Sequence, residues 1–164
     1  MVKRVSVLGS TGSIGVQALE TLSWTPEIRV AALACKSDID ALERQIIAWE
    51  PDIAAVEDAD KALELKHRLK GAKTEILAGG KAVADAAGYG QTDLVINAIV
   101  GAAGLRSTVE AIKAGKILAL ANKESLVTAG AYVMGLAREK GVAVLPVDSE
   151  HSAVLQCLRG NEGN

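Results

Sequence analysis

Apolar runs three to four residues long recur along the chain, and stretches with helical spacing separate most of them. Residues 5–8, 30–33, 53–56, 94–96, 117–120 and 142–145 are nearly continuous apolar runs, rich in Val, Ile, Leu and Ala. A strand exposed on one face alternates apolar and polar residues, whereas an unbroken apolar run suits a parallel strand covered on both faces. The intervening spacing predicts helices over 14–22, 39–49, 105–114 and 126–140. Ile39, Leu42, Ile46 and Trp49 fall on one face, Asp38 stands at the N-cap, and Pro51 ends that helix near Glu50. Gly115 and Gly141 follow two of the helices as C-cap residues. The stretch 71–89 reads less clearly, as a short strand at 75–77 and a helix over 82–87. The alternation predicts an α/β fold with an open, doubly wound, mostly parallel sheet of the Rossmann type. In such sheets ligands bind where strands end at their carboxyl side.

Composition narrows this picture. The 164 residues are 49% hydrophobic and 23% charged, which suits one ordinary globular domain able to bury a core without disulfide or metal. Two Trp, two Tyr and no Phe leave Ala, Val, Ile and Leu to build that core. So few rings offer no platform for stacking bases, and a net charge of −2 gives no general field for polyanions, so nucleic acid is not an expected partner. Cys35 and Cys157 are too few for a disulfide framework or a zinc site, which fits a reducing, cytoplasmic setting. No apolar run approaches the ~18 residues of a membrane helix. The first strand begins by Arg4, leaving no room ahead of it for a targeting segment. The last residues, Gly160-Asn161-Glu162-Gly163-Asn164, contain no closing element, as expected of a chain with a continuation.

Chemistry gathers at the strand ends. After the first strand come Gly9, Ser10, Thr11, Gly12, Ser13, Ile14 and Gly15. Gly9 suits a tight turn, Gly12 lets a pyrophosphate approach the backbone, and Gly15 lets the helix pack against the strand. The N–H groups of the first helical turn and the helix dipole would then hold the anion, with Thr11 and Ser13 adding hydroxyls. Ser10 stands where the usual G-x-G-x-x-G has glycine, so the match is to G-x-x-G-x-x-G; no Lys-Ser or Lys-Thr follows to make a Walker loop. The bland alternative is a tight turn with no ligand.

The second strand ends Ala34-Cys35-Lys36-Ser37. NAD-preferring sites carry an acid there for the ribose hydroxyls; here Lys36 would attract a 2′-phosphate and Ser37 could donate to it, favouring NADP(H). Asp38 remains open as a ribose acid or a helix cap, and Cys35 reads as a small buried hydrophobe. The run Asn97-Ala98-Ile99-Val100-Gly101-Ala102-Ala103-Gly104 either gives a flat ring room beside the backbone or is a helix-entry loop. Asn122, Lys123, Glu124 and Ser125 follow the strand at 117–120, and the competing reading is that Glu124 or Ser125 simply opens the next helix. Past the strand at 142–145, Asp148 and Glu150 are two apart, a spacing that puts both carboxylates on one side of extended backbone. That arrangement suits Mg2+ or Mn2+, given further oxygen ligands. The competing reading is that Asp148 or Ser149 caps a helix. His151 reads as a supporting histidine rather than a ligand.

Three motifs combine: Gly9-Ser10-Thr11-Gly12-Ser13-Ile14-Gly15, Ala121-Asn122-Lys123-Glu124-Ser125-Leu126 and Pro146-Val147-Asp148-Ser149-Glu150-His151-Ser152. Together they closely resemble the 1-deoxy-D-xylulose 5-phosphate reductoisomerase family, in order and over the whole chain. The resemblance implies an NADPH-binding domain over 1–145 and the beginning of a catalytic, metal-binding domain over 146–164. It implies conversion of the ketose phosphate to 2-C-methyl-D-erythritol 4-phosphate, in the non-mevalonate route to isoprenoids. A metal-assisted rearrangement gives an aldehyde that NADPH reduces, and fosmidomycin inhibits the family. Gly9, Thr11, Gly12, Ser13, Ile14 and Gly15 would hold the NADPH phosphates, Lys36 and Ser37 would lie by the 2′-phosphate, and Ala98, Ile99, Asn122 and Glu124 would line the ribose and nicotinamide. Lys123 would be the catalytic, substrate-contacting cation, Ser149 and Glu150 would meet substrate, and Asp148 and Glu150 would bind Mg2+ or Mn2+. A homodimer is implied for the whole protein. The family's third metal carboxylate and its substrate-phosphate residues have no counterpart in these 164 residues, so they are expected to bind NADPH without turning over substrate.

Other readings lack their required residues. A short-chain reductase needs Tyr-x-x-x-Lys, but Tyr89 is followed by Asp93 and Tyr132 by Leu136. A semialdehyde dehydrogenase needs a nucleophilic Cys at a helix start, whereas Cys157 falls late in its helix. A non-catalytic NADP(H)-sensing module would have no use for the Asp148 and Glu150 pair.

Overall fold

The computed structural model describes residues 4–147, together with 153 and 157. Seven parallel strands, β1 (Arg4–Leu8), β2 (Arg29–Cys35), β3 (Ile53–Val56), β4 (Glu75–Ala78), β5 (Leu94–Asn97), β6 (Ile117–Leu120) and β7 (Val144–Pro146), form one sheet in the order β4-β3-β2-β1-β5-β6-β7. The chain winds outward from β1 to the β4 edge, then returns to lay β5 on the other side of β1. The switch point of the sheet therefore lies between the carboxyl ends of β1 and β5, the position where doubly wound sheets bind ligands. The fold is the α/β, doubly wound parallel architecture that the hydrophobic pattern predicts.

The helices divide by face. Leu19 of α1 (Ser13–Ser23), Ile39, Leu42 and Ile46 of α2 (Ile39–Trp49), and Ala62 and Leu65 of α3 (Ala59–Arg68) pack with Val5, Val7, Leu33, Ala54, Val56 and Ile96. On the opposite face, α4 (Gly80–Ala87), α5 (Gly104–Lys113) and α6 (Lys123–Lys140) cover Leu8, Ala32, Ala34, Ala55, Val95, Leu118 and Leu120. Both faces of the strands are thus apolar, which is why the runs are unbroken. Helix α4 makes the long return crossing, and its buried Ala82, Ala84, Ala86 and Ala87 let it lie close to the small residues of β2 and β3. The buried Ser6 hydroxyl ties it to β1, donating to the Ala86 carbonyl at 3.2 Å and sharing a hydrogen bond of 2.9 Å with Thr92.

Several boundaries differ from the sequence reading. The strand at 142–145 starts at Val144 and runs to Pro146, which pairs with Leu120. Helix α6 begins at Lys123, not 126, because Asn122 is its N-cap and accepts from the Ser125 amide at 2.8 Å. Helix α3 has no counterpart in the apolar pattern, since only Ala62 and Leu65 of its ten residues are buried. Its polar signals are plain: Asp58 accepts from the Asp60 and Lys61 amides at the start, and Lys66, His67 and Arg68 close the last turn. Asp38 caps α2, accepting from the Ala41 amide at 3.0 Å, and Glu50 ends the helix just before Pro51. No helix among the described residues is long and apolar enough to cross a membrane.

Candidate functional site

The turn after β1 is held from below and open above. The Gly9 and Ser10 amides both donate to the Ala34 carbonyl, at 2.8 and 2.9 Å, and the buried Ser10 hydroxyl donates to the same oxygen at 3.3 Å. Ser10 thus fastens the turn to β2 in a motif position more often filled by glycine. Gly9 has φ +73°, and a Cβ there would lie 2.8 Å from the Ala98 carbonyl, so the turn sits directly against the chain leaving β5. A Cβ on Gly15 would overlap the Gly9 carbonyl, whereas one on Gly12 would meet only that oxygen, at 3.4 Å. Gly12 is the N-cap of α1; no side chain caps the helix, and its first turn holds no acid. The leading N–H groups at Ser13, Ile14 and Gly15 therefore suit an anion.

Around this turn lies a cleft of about 390 Å³, lined by Gly9, Thr11, Gly12, Ala34, Cys35, Lys36, Glu57, Val83, Ala98, Ile99, Val100 and Ala103. It runs over the carboxyl ends of β5, β1, β2 and β3. Burial pushes the Cys35 thiol up to about 12, with the Asp38 charge adding to the shift, so at neutral pH it is a neutral wall group and no nucleophile. The far side of the cleft is fixed by two asparagines. Asn97, fully buried, donates to the Gly104 carbonyl at 2.9 Å and to Thr108 Oγ1 at 3.0 Å, while its own oxygen accepts from the Ile99 amide. Asn122 donates to the carbonyls of Ile99 and Gly101 while capping α6. A side chain at Gly104 would run into the Asn122 amide, which explains the glycine.

The cleft brings together Gly9, Thr11, Gly12, Lys36, Ala98 and Ile99 from the candidate cofactor residues. Ser13, Ile14 and Gly15 follow at the start of α1, and Ser37 adjoins Lys36. Asn122, Lys123 and Glu124 stand at the start of α6 and do not line this cleft; Asn122 is buried as a cap, and Lys123 and Glu124 are exposed. Asp148, Ser149, Glu150 and His151 lie outside the described residues. Among the described residues no group of three His, Cys, Asp or Glu is placed to hold a metal. Two lining residues escaped the sequence reading. Glu57 follows the apolar run of β3 and so carries the same strand-end signal as Lys36. Val83 reaches the cleft because α4 crosses the sheet, which no local pattern reports.

In architecture this is a Rossmann-type domain: a glycine turn at the switch point, an uncapped helix start and a cleft over four strand ends. The family model for 1-deoxy-D-xylulose 5-phosphate reductoisomerase matches residues 5–130, and the chain belongs to that family. A relative from Desulfosudis oleivorans, 1-deoxy-D-xylulose 5-phosphate reductoisomerase, is 50% identical over 162 residues, covering 98% of this chain and 42% of the relative. The solved structure of the 1-deoxy-D-xylulose 5-phosphate reductoisomerase from Zymomonas mobilis in complex with NADPH superposes with a TM-score of 0.91 at 40% identity, over 96% of this chain and 41% of that one. A second reductoisomerase, in complex with NADPH, fosmidomycin and magnesium, also gives a TM-score of 0.91, at 39% identity, covering 95% of this chain and 39% of that chain. The chain thus spans about two fifths of the length of these relatives.

Proposed function

We propose that this chain binds NADPH as part of an enzyme that converts 1-deoxy-D-xylulose 5-phosphate to 2-C-methyl-D-erythritol 4-phosphate. The observation that carries the reading is the single cleft that joins the glycine turn, Lys36 and the Ala98–Ile99 backbone at the switch point. Its parts match the parts of the cofactor. The turn and the open start of α1 take the pyrophosphate. Lys36, one strand over, neutralises a 2′-phosphate. Ala98 and Ile99, on the other side of the turn, leave room for the nicotinamide ribose. NADPH supplies the hydride when bound; the protein's work is to hold it at one end of the sheet and to keep the transferring face beside substrate.

Lys123 and Glu124, exposed at the start of α6, would act next to that face, Lys123 on substrate oxygen and Glu124 on the cofactor. Asp148 and Glu150 would hold Mg2+ or Mn2+, whose Lewis acidity assists the rearrangement, with Ser149 and Glu150 against substrate. The NADPH-binding domain, expected over 1–145, keeps its last strand through Pro146, and the residues after it begin the catalytic domain; the 164 residues alone bind cofactor without turnover. The protein encoded by the complete gene is tested with the ketose phosphate, NADPH and Mn2+, following loss of NADPH absorbance. Product that requires all three supports the reading, and a folded protein that leaves NADPH unoxidised contradicts it.

A further inference from the structure

Lys36 and Glu57 are opposite charges on neighbouring strand ends, and they do not neutralise each other. The register pairs Cys35 with Val56, so the next residue on each strand enters the same cleft. Among the described residues neither the Lys36 ammonium nor the Glu57 carboxylate has a hydrogen bond or ion pair; only their backbones are engaged. The Glu57 amide donates to the Cys35 carbonyl at 3.1 Å and the Asp58 amide to the Lys36 carbonyl at 2.9 Å. Both backbones are pinned, and both residues line the cleft with their side chains unpaired among the described residues.

We infer that Glu57 selects the adenine base of the bound nucleotide by accepting a hydrogen bond from its exocyclic amine. The inference rests on the cofactor reading above and adds to it. With the pyrophosphate at the end of β1 and the 2′-phosphate by Lys36 at the end of β2, the base falls over the next strand outward, β3, where Glu57 stands. A carboxylate is an acceptor with no proton to give at neutral pH. On adenine joined to ribose through N9, the only polar donor is the 6-amino group. In hypoxanthine a carbonyl takes that position and the donor moves to the ring N1–H, so a carboxylate set for the 6-amino group meets an acceptor there. Glu57 would also repel the 2′-phosphate unless Lys36 stood between them, which gives the lysine a second task.

The test is a fluorescence titration of the 164-residue chain with NADPH and with its reduced deamino analogue, in which hypoxanthine replaces adenine. The wild type is expected to prefer NADPH by about tenfold, the ratio for one hydrogen bond to a charged group. Glu57→Gln, whose amide can donate as well as accept, is expected to bring the two nucleotides within about twofold, and Glu57→Ala to remove the preference. The ratio is the readout, because deleting the negative charge can itself change affinity for either nucleotide. Equal affinities in the wild type, or a preference that survives Glu57→Ala, overturn the assignment while leaving the cofactor reading standing. Failure of both nucleotides to bind overturns the two together.

Discussion

Gln45 donates from Nε2 to the Ser10 carbonyl at 2.8 Å, reaching from the second helix to the underside of the glycine turn. The turn is thereby held by the Ala34 carbonyl of β2 from below and by α2 from the flank, so its geometry is set before any ligand arrives. Gln45→Ala removes a bond to a buried main-chain oxygen. It is expected to cost about 1 kcal/mol of stability and to weaken NADPH binding severalfold. Chemical denaturation and nucleotide titration of the same variant check the two effects.

Gly12 and Gly15 separate folding from binding. A Cβ at Gly15 overlaps the Gly9 carbonyl, which is backbone and cannot move aside. Gly15→Ala should therefore destabilise the protein by about 3 kcal/mol. Gly12 has φ −77°, open to any residue, with one neighbour at 3.4 Å. Gly12→Val should keep the melting temperature near wild type and abolish nucleotide binding, because the branched side chain fills the space a phosphate needs.

The Asn122 amide bonds two carbonyls of the loop leaving β5, and its oxygen caps α6. Asn122→Asp keeps the cap but sets a charge against the Ile99 and Gly101 carbonyls. It should destabilise by about 2 kcal/mol, and Asn122→Ala, which loses cap and donors together, by slightly more. Amide exchange should rise across 98–104 in both variants and stay unchanged in α3, on the opposite face of the sheet.

Arg68 reaches Asp40, Glu43 and Glu64, joining α2 to α3 on the surface. Hydrogen bonds to Arg68 hold the Asp40 carboxyl below its ordinary 3.8, and bonds to Lys61 and then Arg68 hold Glu64 below 4.5. A carboxylate whose folded value is depressed stabilises above the unfolded value and loses that contribution as pH falls through the folded one. Acid melting curves should therefore show a small loss of stability below the ordinary carboxylate range. The loss should shrink in Arg68→Ala and at high salt, because the groups are exposed and screened.

Much of the fold was legible because parallel strands covered on both faces write themselves as apolar runs, and the strand ends flagged Gly9, Lys36 and Ala98 in turn. What escaped depends on contacts distant in sequence. Helix α3 buries only Ala62 and Leu65, too thin a stripe for the period to show, though Asp58 and the basic last turn mark its ends. Val83 enters the cleft only because α4 crosses the sheet. Asn122 reads as a polar residue after a strand, free to meet a cofactor; its burial as a cap follows from Gly104 lying opposite, which spacing cannot reveal. Glu57 obeys the strand-end rule as well as Lys36 does.

Direct titration with NADPH and with NADH, on the wild type and on Lys36→Ala, tests the central claim that the glycine turn and Lys36 together hold a phosphorylated dinucleotide. Saturable binding of NADPH, a much weaker response to NADH, and a loss of about tenfold for NADPH alone in Lys36→Ala are predicted. Equal affinity for the two nucleotides, or an unchanged NADPH affinity in the variant, would contradict it.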